Sequence, residues 1–278
     1  MTRSHHRLVP LVGLVSQSIK DALARRAGEG GESVDHLIRT ALADTLQLKH
    51  ATLFRVSTAP AAVEGVSQAE MTVAALRAHG DFGIGTLDGY IGEMVLVDGQ
   101  VFQIRGGGSI APGEDTARTP FALVTRFRPE TTHSLEDCRR YGLLQRQLDA
   151  WRTTDECFYA VRVEGRFDEV LMRAATPGTE EAPLTEGVSA SQDENRVTDI
   201  AGVLVGFWSP AYVTALTVPG YHLHFLDEAR RTGGHLVDVR GRNLTVAIQR
   251  LTAFHVCLPE TADFLAADLR LGRGAPSP

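Results

Sequence analysis

The 278-residue chain is 43% hydrophobic and 22% charged with a formal charge of −6, the balance of an ordinary soluble globular protein with ample material for a core. The acidic balance argues against nucleic acid or an anionic membrane as the main partner, and no apolar run approaches the roughly 20 residues that a membrane span needs. Cys138, Cys157 and Cys257 are scattered, odd in number and in no C-x-x-C pair, so buried reduced thiols are expected. The apolar run Leu8–Val15 is short and interrupted by Pro10, unlike a secretory signal, and a cytoplasmic location is expected.

Residues 1–49 read as an N-terminal extension with one helix. The polar, glycine-rich Ala27–Ser33 reads as a loop, and after it Val34, Leu37, Ile38, Ala41, Leu42 and Leu46 recur at helical spacing. A mixed-sheet domain is expected over 50–155. It opens on the alternating strand Ala51-Thr-Leu-Phe-Arg-Val-Ser57, with Leu53 or Phe54 toward the core. Ser67-Gln-Ala-Glu70 has the form of a capping box ahead of Val73 and Leu76. From Gly85 to Arg105 the pattern is a β-meander, with the hairpin signal Asp98-Gly99 between its strands. Gly106–Gly108 continues as a loop and Phe121–Phe127 as a strand. Over 134–152, Leu135, Cys138, Leu143, Leu144, Leu148 and Trp151 suit a helix packed on a sheet.

A second sheet domain is expected over 156–278. Phe158–Val163 and Phe167–Arg173 read as strands joined by Glu164-Gly-Arg166, and the polar Pro177–Val197 reads as an exposed connection. Strands follow at Ile200–Trp208, Gly220–Leu226, His235–Val239 and Leu244–Leu251, and 270–278 reads as a flexible tail. The helices are too sparse to alternate with the strands. The expected class is therefore α/β of the α+β type: two β-sheet-rich domains with few helices, two sheets sharing one interface, and a metal site on strands of the second half.

That site is read from His222, His224 and His235. On a strand, residues i and i+2 share a face, so His222 and His224 present two imidazoles to one surface. Ten residues intervene before His235, enough for the chain to turn through Asp227–Thr232 and return alongside, with Gly233-Gly234 permitting a tight approach. Three imidazoles and an open position suit a catalytic, zinc-type site more than a closed structural one, although imidazole serves iron, nickel, cobalt and copper as well. The spacing His222-x-His224-x-x-x-Glu228 followed by Gly234 is also close to the first metal motif of cupins. A cupin-like oxygenase or isomerase is thus the alternative, but His255 lacks the Pro-x-Gly turn that a last cupin ligand would follow.

Several motifs in order carry a resemblance. They are His79-Gly-Asp-Phe-Gly-Ile-Gly-Thr86, Gly92-Glu-Met-Val-Leu-Val-Asp-Gly99, Thr119-Pro-Phe-Ala-Leu-Val-Thr125 and Phe158-Tyr-Ala-Val-Arg-Val163. Gly206-Phe-Trp-Ser-Pro-Ala-Tyr212, Val218-Pro-Gly-Tyr221 and the histidine segment Gly220–Leu226 with Gly233-Gly-His235 follow. Together, from Ala51 to Pro259, they resemble the alpha-acetolactate decarboxylase family.

The resemblance implies a cytoplasmic metalloenzyme, often dimeric, that converts 2-acetolactate (2-hydroxy-2-methyl-3-oxobutanoate) to acetoin and CO2. It implies His222, His224 and His235 as ligands of a divalent metal, with zinc expected, Glu93 and Arg173 as catalytic groups, and Thr86 as a substrate contact. The implied partners are acetolactate and a second copy of the chain, with no nucleic acid and no membrane. A metal chelating the keto and hydroxyl oxygens would stabilise the enediolate that CO2 loss leaves. An arginine can hold the carboxylate bidentately, and Arg173 or Glu93 could return the proton to carbon. Taken alone, Glu93 would read as a solvated charge, Thr86 as a turn residue, and Arg162 or Arg166 as the equal of Arg173. The family also brings an acidic residue from its C-terminal tail over the site. Here the tail after Pro259 stops early, with Glu260 and Asp268 as the candidates.

Overall fold

A computed structural model describes residues 12–30, 33–45, 52–87, 92–175 and 192–269. These fall into two compact units, Met1–His50 and Ala51–Pro278. The first carries α1 (Gln17–Gly30) and α2 (Val34–Thr45). The loop expected at Ala27–Ser33 is helical as far as Gly30. The good helix formers Ala22-Leu-Ala-Arg-Arg-Ala27 precede it, and a single glycine costs a helix only about 1 kcal/mol. The periodic residues Val34, Leu37, Ile38, Ala41 and Leu42 lie on α2, and Leu46 lies outside the described residues.

The second unit opens on β1 (Thr52–Val56), followed by α3 (Ala59–Val63), β2 (Met71–Thr72) and α4 (Val73–His79). Thr72, not Ser67, caps α4, its Oγ1 accepting the Ala75 N–H at 3.2 Å. The helix starts late because Met71–Thr72 first pair with β7 (Arg118–Thr119), and Glu70 accepts the Glu260 N–H at 3.0 Å instead. The meander is β3 (Phe82–Thr86), β4 (Glu93–Val97) and β5 (Gln100–Ile104). Asp98 and Gly99 take φ of 52° and 75°, the left-handed pair that a two-residue hairpin turn demands. β6 (Ile110–Pro112) and β8 (Phe121–Thr125) complete this half.

The helix expected over 134–152 begins only at Tyr141, as α5 (Tyr141–Trp151), and β9 (Thr131–Cys138) precedes it. Leu135 and Cys138 are both buried at a spacing of three, which imitates a helix. They are instead paired across from Leu244 and Gly241 on a strand. The chain continues as β10 (Phe158–Ala175), β11 (Gln192–Ser209), β12 (Gly220–Asp227), β13 (Gly233–Leu251), β14 (Ala253–Cys257) and α6 (Ala262–Ala266). The break expected at Glu164–Arg166 is a register shift inside the continuous β10, and the two strands expected over 235–251 are one. The connection expected over 177–197 ends at Gln192, where β11 begins. Its remainder, like the tail 270–278, lies outside the described residues.

Seven strands form one sheet in the order β14-β1-β8-β3-β4-β5-β6. Five form a second in the order β10-β11-β12-β13-β9, and a further β10–β13 pairing closes it on itself. Two strands cross the division expected at 155/156: β9 pairs in the second sheet, and β14 runs parallel to β1 in the first. The sheets share one core, in which Leu53, Ile84, Val95, Phe102 and Ile104 meet Ala160, Val203, Val205 and Phe207. Alternation along β10 sends Phe158 and Ala160 to this interface, and Tyr159, Val161 and Val163 to a separate core under Leu144 and Leu148 of α5. Each buried Val, Leu or Phe among them contributes about 1.5–3 kcal/mol.

The contact between β11 and β12 is close enough to test. A Cβ at Gly206 would lie 2.0 Å from the His222 carbonyl oxygen and 2.8 Å from the Leu223 Cα. Gly206→Ala is therefore expected to force the strands apart and destabilise the protein by about 1–3 kcal/mol, read as a lower Tm. An unchanged Tm would contradict this packing.

Candidate metal centre

Strand register assembles the site. His224 on β12 stands opposite His235 on β13, which stands opposite Arg173 on β10. His222 sits two residues before His224 on the same face, opposite Phe207. The Asp227 carboxylate organises the turn that brings β13 back. Its Oδ1 accepts the N–H groups of Arg231 at 2.5 Å and Thr232 at 2.7 Å, and its own N–H donates to the Thr232 carbonyl at 3.0 Å. Gly234 permits the close return as expected, since a Cβ there would lie 2.7 Å from the Arg173 carbonyl oxygen.

One ring nitrogen from each histidine lies within 4.8 Å of the others. His222 Nε2 and His224 Nε2 are 3.1 Å apart, and His224 Nδ1 is 3.2 Å from the Met94 carbonyl oxygen. A carbonyl can only accept, so Nδ1 carries the proton and the neutral ring turns the Nε2 lone pair into the cluster. Burial, then the charges of Arg55 and Arg173, hold His222 down to about 4. Burial, then His222, keep His224 and His235 well below the usual imidazole range. All three are therefore neutral near pH 7, the form that ligates metal.

The first sheet supplies the opposing wall. Glu93, at the start of β4, places Oε2 at 3.5 Å from His224 Nε2. Although 18% of its side chain still meets solvent, its enclosure between the sheets pushes the carboxyl up to about 7, against the lowering effect of Arg173. An unprotonated imidazole nitrogen and a carboxylate oxygen so close repel each other unless a cation or a proton intervenes. Three converging imidazole lone pairs with this carboxylate beside them fit a divalent cation.

Thr86 pairs directly across from Glu93. Its hydroxyl donates to the Gly92 carbonyl at 2.7 Å, anchoring the residue before Glu93 and leaving lone pairs to accept from a ligand. The arginines separate clearly. Arg162 pairs with Asp98 and Glu164, and Arg166 with Asp199, whereas no ion pair among the described residues engages Arg173. Glu228 of the cupin-like spacing is exposed and outside the cluster. Glu260 and Asp268 are also outside the cluster, and Glu260 is exposed. Sequence reading passed over Arg55, which is fully buried on β1. The available signal was an arginine in phase with the inward Leu53 of an apolar strand.

The family model for alpha-acetolactate decarboxylase matches residues 53–271. An alpha-acetolactate decarboxylase of Methanosarcina mazei is 40% identical over 220 residues, which are 78% of this chain and 75% of the relative. One from Methylococcus capsulatus is 38% identical over 217 residues, 78% of this chain and 84% of that protein. The crystal structure of the Bacillus subtilis strain 168 enzyme superposes with a TM-score of 0.74 at 32% identity, covering 78% of this chain and 93% of that one.

Two measurements probe the centre without turnover. The protein is expected to bind one divalent ion per chain, and His224→Ala to lose it, as read by elemental analysis after dialysis. In metal-free protein, Glu93 ionises near 4.5 in the unfolded chain but near 7 in the folded one. Folded protein thus holds the extra proton between these values. The contribution of Glu93 to stability should therefore fall as pH rises from 4.5 to 7 and level off above, by on the order of 3 kcal/mol at most, while the three lowered histidines contribute with the opposite sign. Denaturant titrations of the parent and of Glu93→Gln isolate it, because the histidine contribution is common to both: the stability of the parent relative to the variant is expected to be greater at pH 5 than at pH 8, and an equal difference at the two values would place the titration elsewhere.

Proposed function

The chain belongs to the alpha-acetolactate decarboxylase family, and on that premise we propose how its residues carry the reaction. It is a carboxy-lyase that converts 2-acetolactate to acetoin and CO2. The observation behind the residue roles is the convergence of three neutral imidazoles, one carboxyl and one guanidinium on the space between the two sheets.

Losing CO2 leaves an electron pair on carbon, and the adjacent ketone of the substrate can absorb it without an organic cofactor. His222, His224 and His235 would hold a divalent metal, zinc in this reading, which would supply Lewis acidity where that negative charge develops. Met94 holds His224 in the required tautomer through its carbonyl oxygen. Arg173, across the strand from His235, adds a fixed positive charge beside the reacting carbon. Glu93, pushed to about 7, can carry a proton at neutral pH and give it to that carbon once CO2 has gone. Thr86 holds the backbone before Glu93 and offers its hydroxyl oxygen to the substrate. Ile104, paired across from Glu93, and Phe207, paired across from His222, belong to the shared apolar core and so limit the access of water to these groups. A cytoplasmic homodimer is part of the same reading. Its support is the set of apolar residues that α1 and α2 expose, among them Ile19, Val34 and Leu42. No helix among the described residues is long and apolar enough to cross a membrane.

Zinc-loaded protein given racemic acetolactate should release acetoin, largely one enantiomer, and should do so equally without oxygen. Acetoin at no more than the spontaneous rate would sink the reading, and a requirement for oxygen would favour a cupin-like oxygenase. Glu93→Gln is expected to lower kcat by about 10²–10⁴-fold while the metal stays bound. A kcat within threefold of the parent would remove Glu93 from proton transfer.

A further inference from the structure

Thr119 opens the motif Thr119-Pro-Phe-Ala-Leu-Val-Thr125, and its side chain is fully buried where β3 ends. Its Oγ1 lies 2.7 Å from the Thr86 carbonyl oxygen and 2.8 Å from the Phe121 carbonyl oxygen. A hydroxyl carries one proton and both neighbours only accept, so they share it. The two carbonyls belong to Thr86 and Phe121, the last pair of the β3–β8 ladder. The Thr86 hydroxyl in turn donates to the Gly92 carbonyl at 2.7 Å. Gly92 holds φ of 84°, and a Cβ there would lie 1.9 Å from the Ile104 carbonyl oxygen. It is followed by Glu93, which pairs back onto Thr86. Two hydroxyls and one peptide bond thus run in series from Thr119 to Glu93.

We propose that Thr119 is a positioning residue: it fixes the Thr86 peptide and, through the Thr86 hydroxyl, the backbone that sets Glu93 against His224. Without the Thr119 hydroxyl, two buried carbonyl oxygens lose the donor they share, and a buried polar group left unpaired is disfavoured. The Thr86 carbonyl and Cβ belong to one short stretch of backbone. A rotation that finds the carbonyl a new donor therefore also swings the Thr86 hydroxyl away from Gly92. Glu93 stands with Oε2 at 3.5 Å from His224 Nε2, and a displacement of about 1 Å in such a group costs up to about 100-fold in rate. The histidines and Arg173 sit on the second sheet, and Thr119 bonds none of them. Substrate binding by those groups is thus kept, and the loss falls on kcat more than on KM.

The proposal rests on the decarboxylase reading, and its test separates the two. Thr119→Val keeps the shape and loses the donor, whereas Thr119→Ser keeps the donor. In zinc-loaded protein, Thr119→Val is expected to lower kcat for acetolactate about 10–100-fold. KM and bound zinc should change less than threefold, and Thr119→Ser should bring kcat back to within threefold of the parent. The loss should require the Thr86 hydroxyl, so in a Thr86→Val background Thr119→Val should cost less than a further twofold. An unchanged kcat, a loss of the same factor in both backgrounds, or a loss that serine does not repair would overturn the proposal. If Thr119→Val does not fold, Thr119→Cys decides, because a thiol is only a weak donor. A tenfold loss of kcat in that variant supports the proposal, and a kcat near the parent's overturns it. Amide hydrogen exchange reads the same linkage without turnover. The Thr86 and Glu93 amides should exchange about tenfold faster in Thr119→Val than in the parent, and unchanged exchange would overturn the proposal. Faster exchange in a protein whose parent releases no CO2 from acetolactate would count against decarboxylation and leave the linkage standing.

Discussion

The site hangs on one cross-strand register, in which His224, His235 and Arg173 face each other in sequence on β12, β13 and β10. A slip of one residue would turn the inward groups of a strand outward, and no rotamer change could restore three converging imidazoles. The register is held at the turn by Asp227, buried and bonded to two backbone N–H groups of the segment it closes. It is held along the strands by the β10–β13 pairing, which closes the second sheet and leaves the middle of β12 and β13 little freedom to slide.

Burial then decides the chemistry of what the register collects. The interface between the sheets is apolar over most of its area, so every ionisable group that enters it is biased toward its neutral form. For the histidines this exposes lone pairs. For Glu93 it retains a proton near neutrality. The same environment does not neutralise guanidinium, so Arg173 and Arg55 remain fixed charges in a medium where charge acts over a longer range than in water. Neutral imidazoles, a carboxyl that titrates near neutrality and a guanidinium are the groups on which the proposed reaction of an anionic substrate draws.

The legible and illegible parts of the fold differ for identifiable reasons. Asp98-Gly99 announced its hairpin because the turn conformation is a property of those two residues alone. Leu135 and Cys138 misled because both are buried at a spacing of three, the spacing of a helix face, although the segment pairs with β13 as a strand. Ser67–Glu70 had capping chemistry, but Thr72 won the position when Met71–Thr72 were drawn into pairing with β7. The exchange of β9 and β14 between the sheets left no local mark, since strand partners are chosen by packing between residues far apart in the chain.

By itself the sequence named the candidate site residues. Alternation and spacing put His222, His224 and His235 within reach of one ion, and the ordered motifs added Glu93, Arg173 and Thr86 as what a family resemblance implies. Those inferences need only the period of a strand and the length of a turn. Tertiary structure alone decided what lies opposite. It set Glu93 at 3.5 Å from His224 across the interface, distinguished Arg173 from the ion-paired Arg162 and Arg166, and revealed Arg55. The distance between two sheets, and the burial that shifts a carboxyl to about 7, depend on residues from every part of the second unit. No window of sequence contains them.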